Sequence, residues 1–373
     1  MPALSNLKSS AWLRTRPDTM HAAAIYAAAY ETLFFPAWQR FVRRRPIGTH
    51  LRRLERTQWY DAESLDRLQI EALRRLLVHA GQQVPYWRDL FRRIHFDPRA
   101  VTRREHLAEL PVLDRETVRE RQAELIDPAL APSNIRRATS GATGVPLPFQ
   151  YCSQSDAWRR AVRLRGYAWA GYRMGQRTVH YWGEAARAAR GWAARKAWVD
   201  GVLRRASYLD AVAEDEASLW SAADRLARVR PHCVIGRTRA LANFARWAID
   251  RGARDWPDAR VICAADALEP QDRSAIESAF GPAVFEMYES REAMLIAAEC
   301  AAHHGMHISE ENLLVEIARD GDPVPPGERG DVLVTDLHNY GMPFIRYANG
   351  DAAAIAPEQT CPCGRALRRI ARV

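Results

Sequence analysis

Hydrophobic residues recur at helical spacing in the first third of the chain. Between about Trp59 and Ile126, apolar positions fall every three to four residues, as in the set Leu65, Leu68, Leu73, Leu76 and Leu77. This period predicts amphipathic helices. Asp61 stands at a suitable N-cap position, and Thr102-Arg103-Arg104-Glu105 has the form of a capping box. The pattern predicts a mainly helical N-terminal region over residues 1–130.

After Ser140 the pattern changes, and short apolar runs alternate with amphipathic stretches. The runs predicted as strands are Thr178–Trp182, Cys233–Gly236, Val261–Ala264 and Val284–Tyr288. Helices are predicted between them around Leu219–Val229, over Thr238–Ile249 and after Glu269-Pro270. Strands alternating with helices predict a parallel sheet covered by helices. Residues 131–312 are therefore assigned to an α/β core.

Beyond Leu313 the chain becomes rich in predicted strands. Leu313–Ile317 and Val332–Thr335 are separated by the turn-forming sequences D-G-D and P-P-G. Residues 313–373 form the third predicted segment. The predicted fold class is α/β, with a helical N-terminal region followed by helix-covered, largely parallel sheets and a β-rich C-terminal segment.

Composition and charge narrow the class of protein. The 373 residues are 47% hydrophobic and 27% charged, which is enough to bury a sizeable core. The net charge of +9 comes almost entirely from arginine, since only Lys8 and Lys196 are lysines. The arginines form no stripe interleaved with aromatic residues, so nucleic acid is not a predicted partner. No apolar run approaches the ~20 residues that span a bilayer and no signal peptide is recognised, so a cytoplasmic location is predicted.

One N-terminal stretch allows two interpretations. Residues 22–45 combine many apolar and aromatic side chains with Arg43-Arg44-Arg45. The preferred interpretation is a helix docked on the body of the protein or on a second subunit of a homodimer. The alternative is a helix that lies on a membrane surface, with its basic end facing the lipid.

A loop of small polar residues gives the first indication of chemistry. Residues 139–146 read T-S-G-A-T-G-V-P. Glycine lets the backbone approach an anion, and hydroxyl and backbone N–H groups can converge on phosphate oxygens. The lysine of a Walker A loop is missing. Taken alone, the stretch is equally typical of a linker, so other motifs have to decide.

Two further motifs follow in order. They are Y-E-S-R-E at 288–292 and P-F-I-R-Y-A-N-G-D at 343–351. With the loop, they resemble the adenylate-forming superfamily, in which T-S-G-x-T-G-x-P, Y-G-x-x-E and a late G-D occur in this order. V-P-Y-W at 84–87, L-P-V-L at 110–113 and C-P-C-G-R at 361–365 are similar to its phenylacetate-CoA ligase-like branch, which includes proteins of capsular polysaccharide biosynthesis. The resemblance runs from about Leu51 to the last residue.

The resemblance implies a nucleotide site. Its phosphate-binding residues would be Thr139, Ser140, Gly141, Thr143 and Gly144. Tyr288 would lie near the adenine, Glu292 would hold Mg²⁺ for catalysis, and Asp351 would accept both ribose hydroxyls. A core aromatic remains the alternative for Tyr288, and a turn aspartate the alternative for Asp351.

Further positions follow from the same resemblance. Arg346 would pair with the Asp351 carboxylate or contact the nucleotide, and Asp266 would lie beside the nucleotide and acyl pockets. The implied walls of the acyl pocket are Tyr181, Trp182, Gly183 and Gly236. Two departures lie inside the second motif, because Glu289 replaces the usual glycine and Arg291 the usual threonine.

Cysteines and histidines gather late in the chain. Cys300, His303, His304 and His307 precede Cys361 and Cys363. Thiolates and imidazoles select zinc, and four ligands close a structural site. The resemblance implies the ligands Cys300, His307, Cys361 and Cys363, with His303 in reserve. Reduced cysteines with surface histidines are the alternative.

The implied activity is ATP-dependent adenylation of an aromatic or other organic acid, followed by acyl transfer to a thiol. The thiol would belong to CoA or to the phosphopantetheine of a carrier protein. The superfamily's helper lysine lies in a small C-terminal domain, which is expected to be absent because no lysine follows Lys196. The alternatives are a noncatalytic nucleotide-binding or assembly protein of a polysaccharide or natural-product pathway, and a ligase with an amine acceptor.

Overall fold

The computed structural model describes residues 24–42, 45–139, 145–183, 191–212, 215–357 and 360–371. The predicted phosphate-binding residues Ser140, Gly141, Thr143 and Gly144 lie outside these ranges. Beyond residue 46 the α-helices span Ile47–Thr57, Ala62–Gln83, Pro85–Arg93, Arg115–Glu120, Ser153–Trp169, Gly191–Arg204, Glu216–Val229, Thr238–Asp250 and Pro270–Phe280.

The described residues of the N-terminal region are mainly helical, as the apolar spacing predicts. The Asp61 side chain accepts a hydrogen bond from Ser64 N, which caps the helix Ala62–Gln83. The predicted capping box at Thr102 is wrong. A 3₁₀ helix begins there at Arg104, its N-cap is Arg103, and no side chain caps it. Thr102 N instead donates to His106 Nδ1 at 3.5 Å, so a histidine outside the four-residue pattern takes up this backbone group.

The strands in chain order are β1 (Ile135–Ala138), β2 (Pro148–Tyr151), β3 (Thr178–Trp182), β4 (Ala206–Asp210), β5 (Cys233–Arg237), β6 (Arg260–Ala264), β7 (Val284–Ser290), β8 (Met294–Glu299), β9 (Met306–Ile308), β10 (Leu313–Arg319), β11 (Asp322–Pro323), β12 (Gly330–Asp336), β13 (Tyr347–Ala353) and β14 (Arg369–Ile370). All of the strands predicted from apolar runs are present.

The largest sheet contains eight of these strands in the order β14-β9-β8-β7-β6-β5-β3-β4. The strands from β3 to β7 are parallel, which confirms the predicted α/β core. The strands β7, β8, β9 and β14 pair antiparallel and extend it at one side. Successive residues of β5 face opposite layers: Val234 packs with Phe244 of the helix Thr238–Asp250, and Ile235 packs with Trp158 of the helix Ser153–Trp169.

The other two sheets are antiparallel and smaller. One has the order β11-β10-β12-β13, and the other is the pair β1-β2. The loop predicted to bind phosphate joins β1 to β2, where Thr139 N donates to Leu147 O at 3.0 Å. The last strand, β14, leaves the β-rich segment and joins the eight-stranded sheet through β9.

Residues 24–42 are helical, with π-helical turns at Tyr30–Phe34 and Trp38–Val42. Tyr30 and Phe35 are buried in the same core as the helix Ser153–Trp169, so the segment is docked on the body. No described helix combines the length and the apolar character that crossing a membrane requires.

Candidate functional site

The ends of β7 and β13 bring together a tyrosine, an amide and a carboxylate. Tyr288 OH donates to Asp351 Oδ2 at 2.7 Å, and Asn349 Nδ2 donates to the same oxygen at 2.8 Å. Asn349 Nδ2 also lies 2.6 Å from Tyr288 OH. Burial and the Asp351 carboxylate raise the pKa of Tyr288, so the phenol stays protonated and can donate. Two predicted residues more than sixty positions apart are thus in direct contact.

A second polar cluster surrounds Glu292 directly after β7. Tyr347 OH donates to Glu292 Oε1 at 3.0 Å, and Arg115 Nη1 lies 3.6 Å from the same oxygen. Arg115 Nη2 also donates to Thr139 Oγ1 at 3.4 Å. The Thr139 hydroxyl in turn accepts from Leu147 N at 2.9 Å. Arg115 therefore connects the base of the predicted phosphate loop to the predicted magnesium ligand.

The predicted pocket residues lie at the carboxyl ends of parallel strands, where open α/β sheets place their ligand sites. Tyr181 and Gly236 are register partners on β3 and β5. A Cβ on Gly236 would come within 2.5 Å of Tyr181 O, so this pairing requires glycine. The Tyr181 ring is buried against Phe244, whereas Trp182 is partly exposed and Gly183 follows it.

Asp266 follows β6 at the same edge. Its Oδ1 lies 3.5 Å from Arg237 Nη2, and Thr238 Oγ1 donates to its carbonyl oxygen at 2.7 Å. Asp266 Oδ2 is buried and has no hydrogen-bond partner among the residues that the structure describes. The carboxylate therefore keeps one acceptor that the protein does not use.

Arg346 has a different partner from the one predicted. Its Nε lies 3.2 Å from Glu316 Oε1, and its Nη1 and Nη2 donate to the carbonyl oxygens of Leu110 and Gly321 at 2.6 and 2.5 Å. The side chain is 2% exposed. The structure pairs Arg346 with Glu316 instead of Asp351.

The four predicted metal ligands come together in one cluster. The ligand atoms of Cys300, His307, Cys361 and Cys363 all lie within 4.8 Å of one another. Cys300 Sγ is 3.8 Å from Cys361 Sγ, and Cys363 Sγ is 3.3 Å from His307 Nε2. His307 Nδ1 contacts Leu367 O at 3.2 Å, which leaves Nε2 facing the thiols. The reserve candidate His303 instead contacts Glu299.

Comparison with known proteins identifies relatives of this architecture. No family model matches the chain. Phenylacetate-coenzyme A ligase of Thermus thermophilus is 26% identical over 318 residues, which cover 83% of this chain and 69% of the relative. The Pseudomonas putida phenylacetate-coenzyme A ligase is 25% identical over 83% of this chain and 70% of its own length.

The chain is therefore similar to phenylacetate-CoA ligases over most of its length. The fold agrees with this similarity. Structures of 2-hydroxyisobutyryl-CoA ligase superpose with a TM-score of 0.68 at 19% identity, covering 84% of this chain and 68% of that one. A second structure of the same enzyme, in complex with 2-HIB-AMP and CoA, gives a TM-score of 0.66.

The chain departs from the Y-G-x-x-E pattern of the adenylate-forming superfamily at two residues beside the candidate site. Arg291 Nη1 donates to Ala138 O at 3.3 Å, so its side chain reaches the strand that precedes the predicted phosphate loop. Glu289 follows an irregularity in the β7–β8 pairing and leaves Oε1 buried without a described partner. Burial raises the pKa of Glu289, and the nearby Arg163 guanidinium opposes that shift.

Three residues of the site were not predicted from the sequence. Asn349, Tyr347 and Arg115 contact Asp351, Glu292 and Thr139 respectively. Asn349 and Tyr347 lie inside the Y-A-N-G-D motif, where alternate residues of β13 reach the same edge, and this alternation was an available signal. Arg115 follows L-P-V-L-D in the helical region, and no local sequence pattern indicates its contact with a loop more than twenty residues later.

Proposed function

We propose that this chain activates a carboxylic acid with ATP and then transfers the acyl group to the thiol of CoA. In the first step a carboxylate oxygen attacks the α-phosphorus of ATP, giving an acyl adenylate and pyrophosphate. In the second step the thiol sulfur attacks the acyl carbon and AMP leaves. The observation that carries the proposal is the convergence of Tyr288, Asp351, Glu292 and Thr139 from three separate motifs on one edge of the fold.

Asp351 is suited to bind the ribose. Its Oδ2 is held by the Tyr288 hydroxyl and the Asn349 amide, which fixes the orientation of the carboxylate. Its Oδ1 has no hydrogen bond to any described residue and can accept from ribose hydroxyls. Asp266 Oδ2, which is buried without a partner among the described residues, offers a further acceptor after β6, the strand next to the one that carries Tyr288. Preorganised acceptors of this kind bind without a large ordering cost.

Glu292 fits a magnesium ligand. Mg²⁺ prefers carboxylate oxygens together with waters and substrate phosphates. The Tyr347 hydroxyl engages Glu292 Oε1, and a carboxylate retains further lone pairs for a cation. When bound, Mg²⁺ would supply charge stabilisation for the pyrophosphate group. The residues of the chain would orient the acid and the α-phosphate.

We propose that two arginines act on the phosphates of ATP. Arg115 contacts Thr139, and Arg291 reaches Ala138, so both guanidinium groups lie next to the entry of the loop. Fixed cations beside developing negative charge lower the barrier for departure of pyrophosphate. We assign Arg115 and Arg291 this electrostatic role, in addition to the contacts that they make in the structure.

The cysteine and histidine cluster is proposed to hold a structural zinc ion. Three thiolates and one imidazole match the ligands and the coordination number of structural zinc sites. The contact of His307 Nδ1 with a backbone carbonyl is the usual arrangement for a ligand that binds through Nε2. Zinc at this position would tie β9 to the segment before β14 and would not take part in the reaction.

Glu289 and Arg291, which depart from the Y-G-x-x-E motif, favour a second candidate function, that of a noncatalytic nucleotide-binding protein. A carboxylate with a buried, unpartnered oxygen beside the site would suit a chain that binds nucleotide without performing ligation. The acceptor also has alternatives, because a carrier-protein phosphopantetheine presents the same thiol as CoA and an amine could replace it.

Exchange of labelled pyrophosphate into ATP tests the proposal. The chain is assayed over a panel of aromatic and aliphatic acids, alone and with a lysine-bearing C-terminal domain of a related ligase added. We expect acid-dependent exchange that increases about 10²-fold or more with the added domain, and we expect Glu292→Gln to lower it about 10²- to 10³-fold. Arg115→Gln should also lower exchange, whereas Arg119→Gln, an exposed arginine on the same short helix, should not.

ATP binding is measured in parallel by calorimetry. Binding of ATP without exchange for any acid, with and without the added domain, would favour the noncatalytic function. Acid-dependent exchange without thioester formation, when CoA, a carrier protein and simple amines are each supplied, would refute the proposed second step.

A further inference from the structure

Two side chains of opposite charge lack hydrogen-bond partners on the face of the large sheet that the helix Ser153–Trp169 covers. The Arg163 guanidinium makes no hydrogen bond or ion pair to any residue that the structure describes. Glu289 at the end of β7 leaves Oε1 buried without a described partner. Both residues are partly buried, and a charge that is removed from water without a partner is costly. Their unused donors and acceptors therefore indicate a place for a polar ligand group.

Packing of the helix on the sheet brings the two side chains together. A Cβ on Gly166 would lie 2.5 Å from Leu295 Cδ2 and 3.7 Å from Met287 Sδ, so this turn of the helix lies directly on β7 and β8. Leu295 is the register partner of Glu289. Arg163 lies one helical turn before Gly166. The Arg163 guanidinium opposes the rise in the pKa of Glu289 that burial causes, which is the effect of a nearby cation.

Aromatic side chains surround this pair of charges. Arg163 Cζ lies 5.8 Å from the centre of the Tyr167 ring, one helical turn along. The His180 ring of β3 stacks on Tyr208 of β4 at 4.8 Å. Burial, followed by the Arg163 and Arg204 guanidinium groups, lowers the pKa of His180 to about 4, so this imidazole is neutral near pH 7. The surroundings of Arg163 are therefore aromatic, as an aryl ligand requires.

The pair lies between the predicted acyl pocket and the proposed nucleotide site. Trp182, a predicted wall of the acyl pocket, is two positions from His180 on β3 and so lies on the same face of that strand. Glu289 directly follows Tyr288 and precedes Glu292 by three residues. Three residues span at most about 10 Å, a distance comparable to the length of an aromatic acid. An acid anchored at Glu289 can therefore present its carboxylate to the nucleotide.

The chemistry of the two groups selects a hydroxyl. An ionised carboxylate accepts hydrogen bonds and a guanidinium donates them, whereas a hydroxyl does both. A hydroxyl between the two side chains would donate its proton to Glu289 and accept from Arg163. An ammonium group would be repelled by the guanidinium, and a second carboxylate would be repelled by Glu289.

We propose that Arg163 and Glu289 bind the ring hydroxyl of a hydroxyaryl carboxylic acid and thereby select the acid that is adenylated. This inference rests on the proposed function, because it assigns the substrate class of the same site. A site built to hydrogen-bond a hydroxyl discriminates against the analogue that lacks it, since its buried polar groups are then left unpaired. Glu289, which stands where the Y-G-x-x-E pattern has glycine, is then a feature that selects the substrate.

Calorimetry with stable mimics of the acyl adenylate tests the proposal on the 373-residue chain. The probes are the N-acylsulfamoyl adenosine that carries a phenylacetyl group and its two derivatives hydroxylated at the meta or para position of the ring. Binding of these mimics requires neither turnover nor an added C-terminal domain, and AMP is the reference ligand. We expect at least one hydroxylated mimic to bind about 10- to 100-fold more tightly than the phenylacetyl mimic.

Side-chain variants assign this preference to the two residues. Arg163→Met and Glu289→Leu should each reduce the preference to about one, mainly by weakening the hydroxylated mimic. Glu289→Gln keeps an acceptor of similar shape and should retain part of the preference. Arg228→Met is the matched control, because it removes an exposed arginine from the helix Glu216–Val229, and it should leave the preference unchanged. Thermal unfolding shows which variants are folded, and Arg163→Met with Glu289→Gln decides if Glu289→Leu is not.

The possible failures are distinguishable. Equal binding of all three mimics by a chain that binds AMP would overturn this inference and leave the proposed nucleotide site standing. An unchanged preference in the folded variants of Arg163 and Glu289 would overturn it as well. A chain that binds neither AMP nor any mimic would refute the proposed function, and this inference with it.

Discussion

Asp351→Asn gives the sharpest test of the proposed nucleotide site. Tyr288 OH and Asn349 Nδ2 both donate to Asp351 Oδ2, at 2.7 and 2.8 Å. In the variant, the oxygen of the new side-chain amide can still accept hydrogen bonds from Tyr288 OH and Asn349 Nδ2. The amide NH₂ group then takes the position of Oδ1, where the ribose hydroxyls need an acceptor. The substitution therefore replaces a charged acceptor by a donor while the surrounding contacts are retained.

The magnitude follows from the hydrogen bonds at stake. A hydrogen bond to a charged group contributes about 1.5–3 kcal/mol, and each 1.4 kcal/mol changes affinity about tenfold. Loss of one such bond to the ribose predicts a Kd about 10- to 100-fold higher. Because the ribose is common to both ligands, AMP and Mg-ATP should weaken by the same factor in calorimetry.

A ligand-side control isolates the contact. For the unmodified chain, 2′,3′-dideoxy-ATP should bind about as weakly as ATP binds to Asp351→Asn. Combining the variant with the dideoxy ligand should cause little further loss, because both changes remove one interaction. Tyr288→Phe keeps the carboxylate and should have a smaller effect. Unchanged ATP affinity in Asp351→Asn, or full additivity with the dideoxy ligand, would refute ribose binding by this residue.

Three further predictions concern metal and pH. Cys363→Ser should lower the zinc content well below one equivalent per chain by mass spectrometry and reduce the melting temperature, whereas a metal-free native chain with unchanged melting would contradict the site. His338 is buried against Trp158, and burial lowers its pKa to about 4 from 6.5. Protonation of His338 should therefore contribute up to about 3 kcal/mol to the fall in the free energy of unfolding between pH 6.5 and 4. Urea titrations should show a fall that is shallower by this amount in His338→Gln. The raised pKa of Glu289 disfavours its ionised form in the folded state, so Glu289→Gln should be more stable than the native chain at pH 8 and lose this advantage near pH 4; an equal difference at both pH values would contradict the assignment.

The parallel strands could be predicted because each is a short apolar run between amphipathic helices. Val261 and Ile262, for example, are buried on opposite faces of β6, which explains an apolar run without alternation. The pairing of β8 with β9 and of β9 with β14 was not predicted. Strands of two or three residues carry little local signal, and β14 reaches its partner about sixty positions away.

Individual side-chain partners were the least predictable. The motif places Arg346 five residues before Asp351, which suggests a pair, yet its positive φ of 51° turns the chain and its guanidinium reaches Glu316 and two backbone carbonyls. Backbone acceptors have no sequence signature. The four cysteine and histidine ligands were accessible to sequence reasoning because their side chains are chemically distinctive and the family resemblance gave their combination.

The proposed nucleotide site lies at a junction between two sheets. Tyr288 belongs to the eight-stranded sheet and Asp351 to the four-stranded sheet, so their hydrogen bond crosses the junction. Asp336 at the end of β12 accepts from Arg159 Nη2 at 2.6 Å and thereby fixes the small sheet to the helix Ser153–Trp169. Removing one partner of such a buried pair typically costs about 3–5 kcal/mol, because the other charge is left unpaired. The Tyr288–Asp351 hydrogen bond and the Arg159–Asp336 pair thus hold the four-stranded sheet near opposite ends of β12, so that β13, which pairs with β12, presents the Asp351 carboxylate at a fixed position.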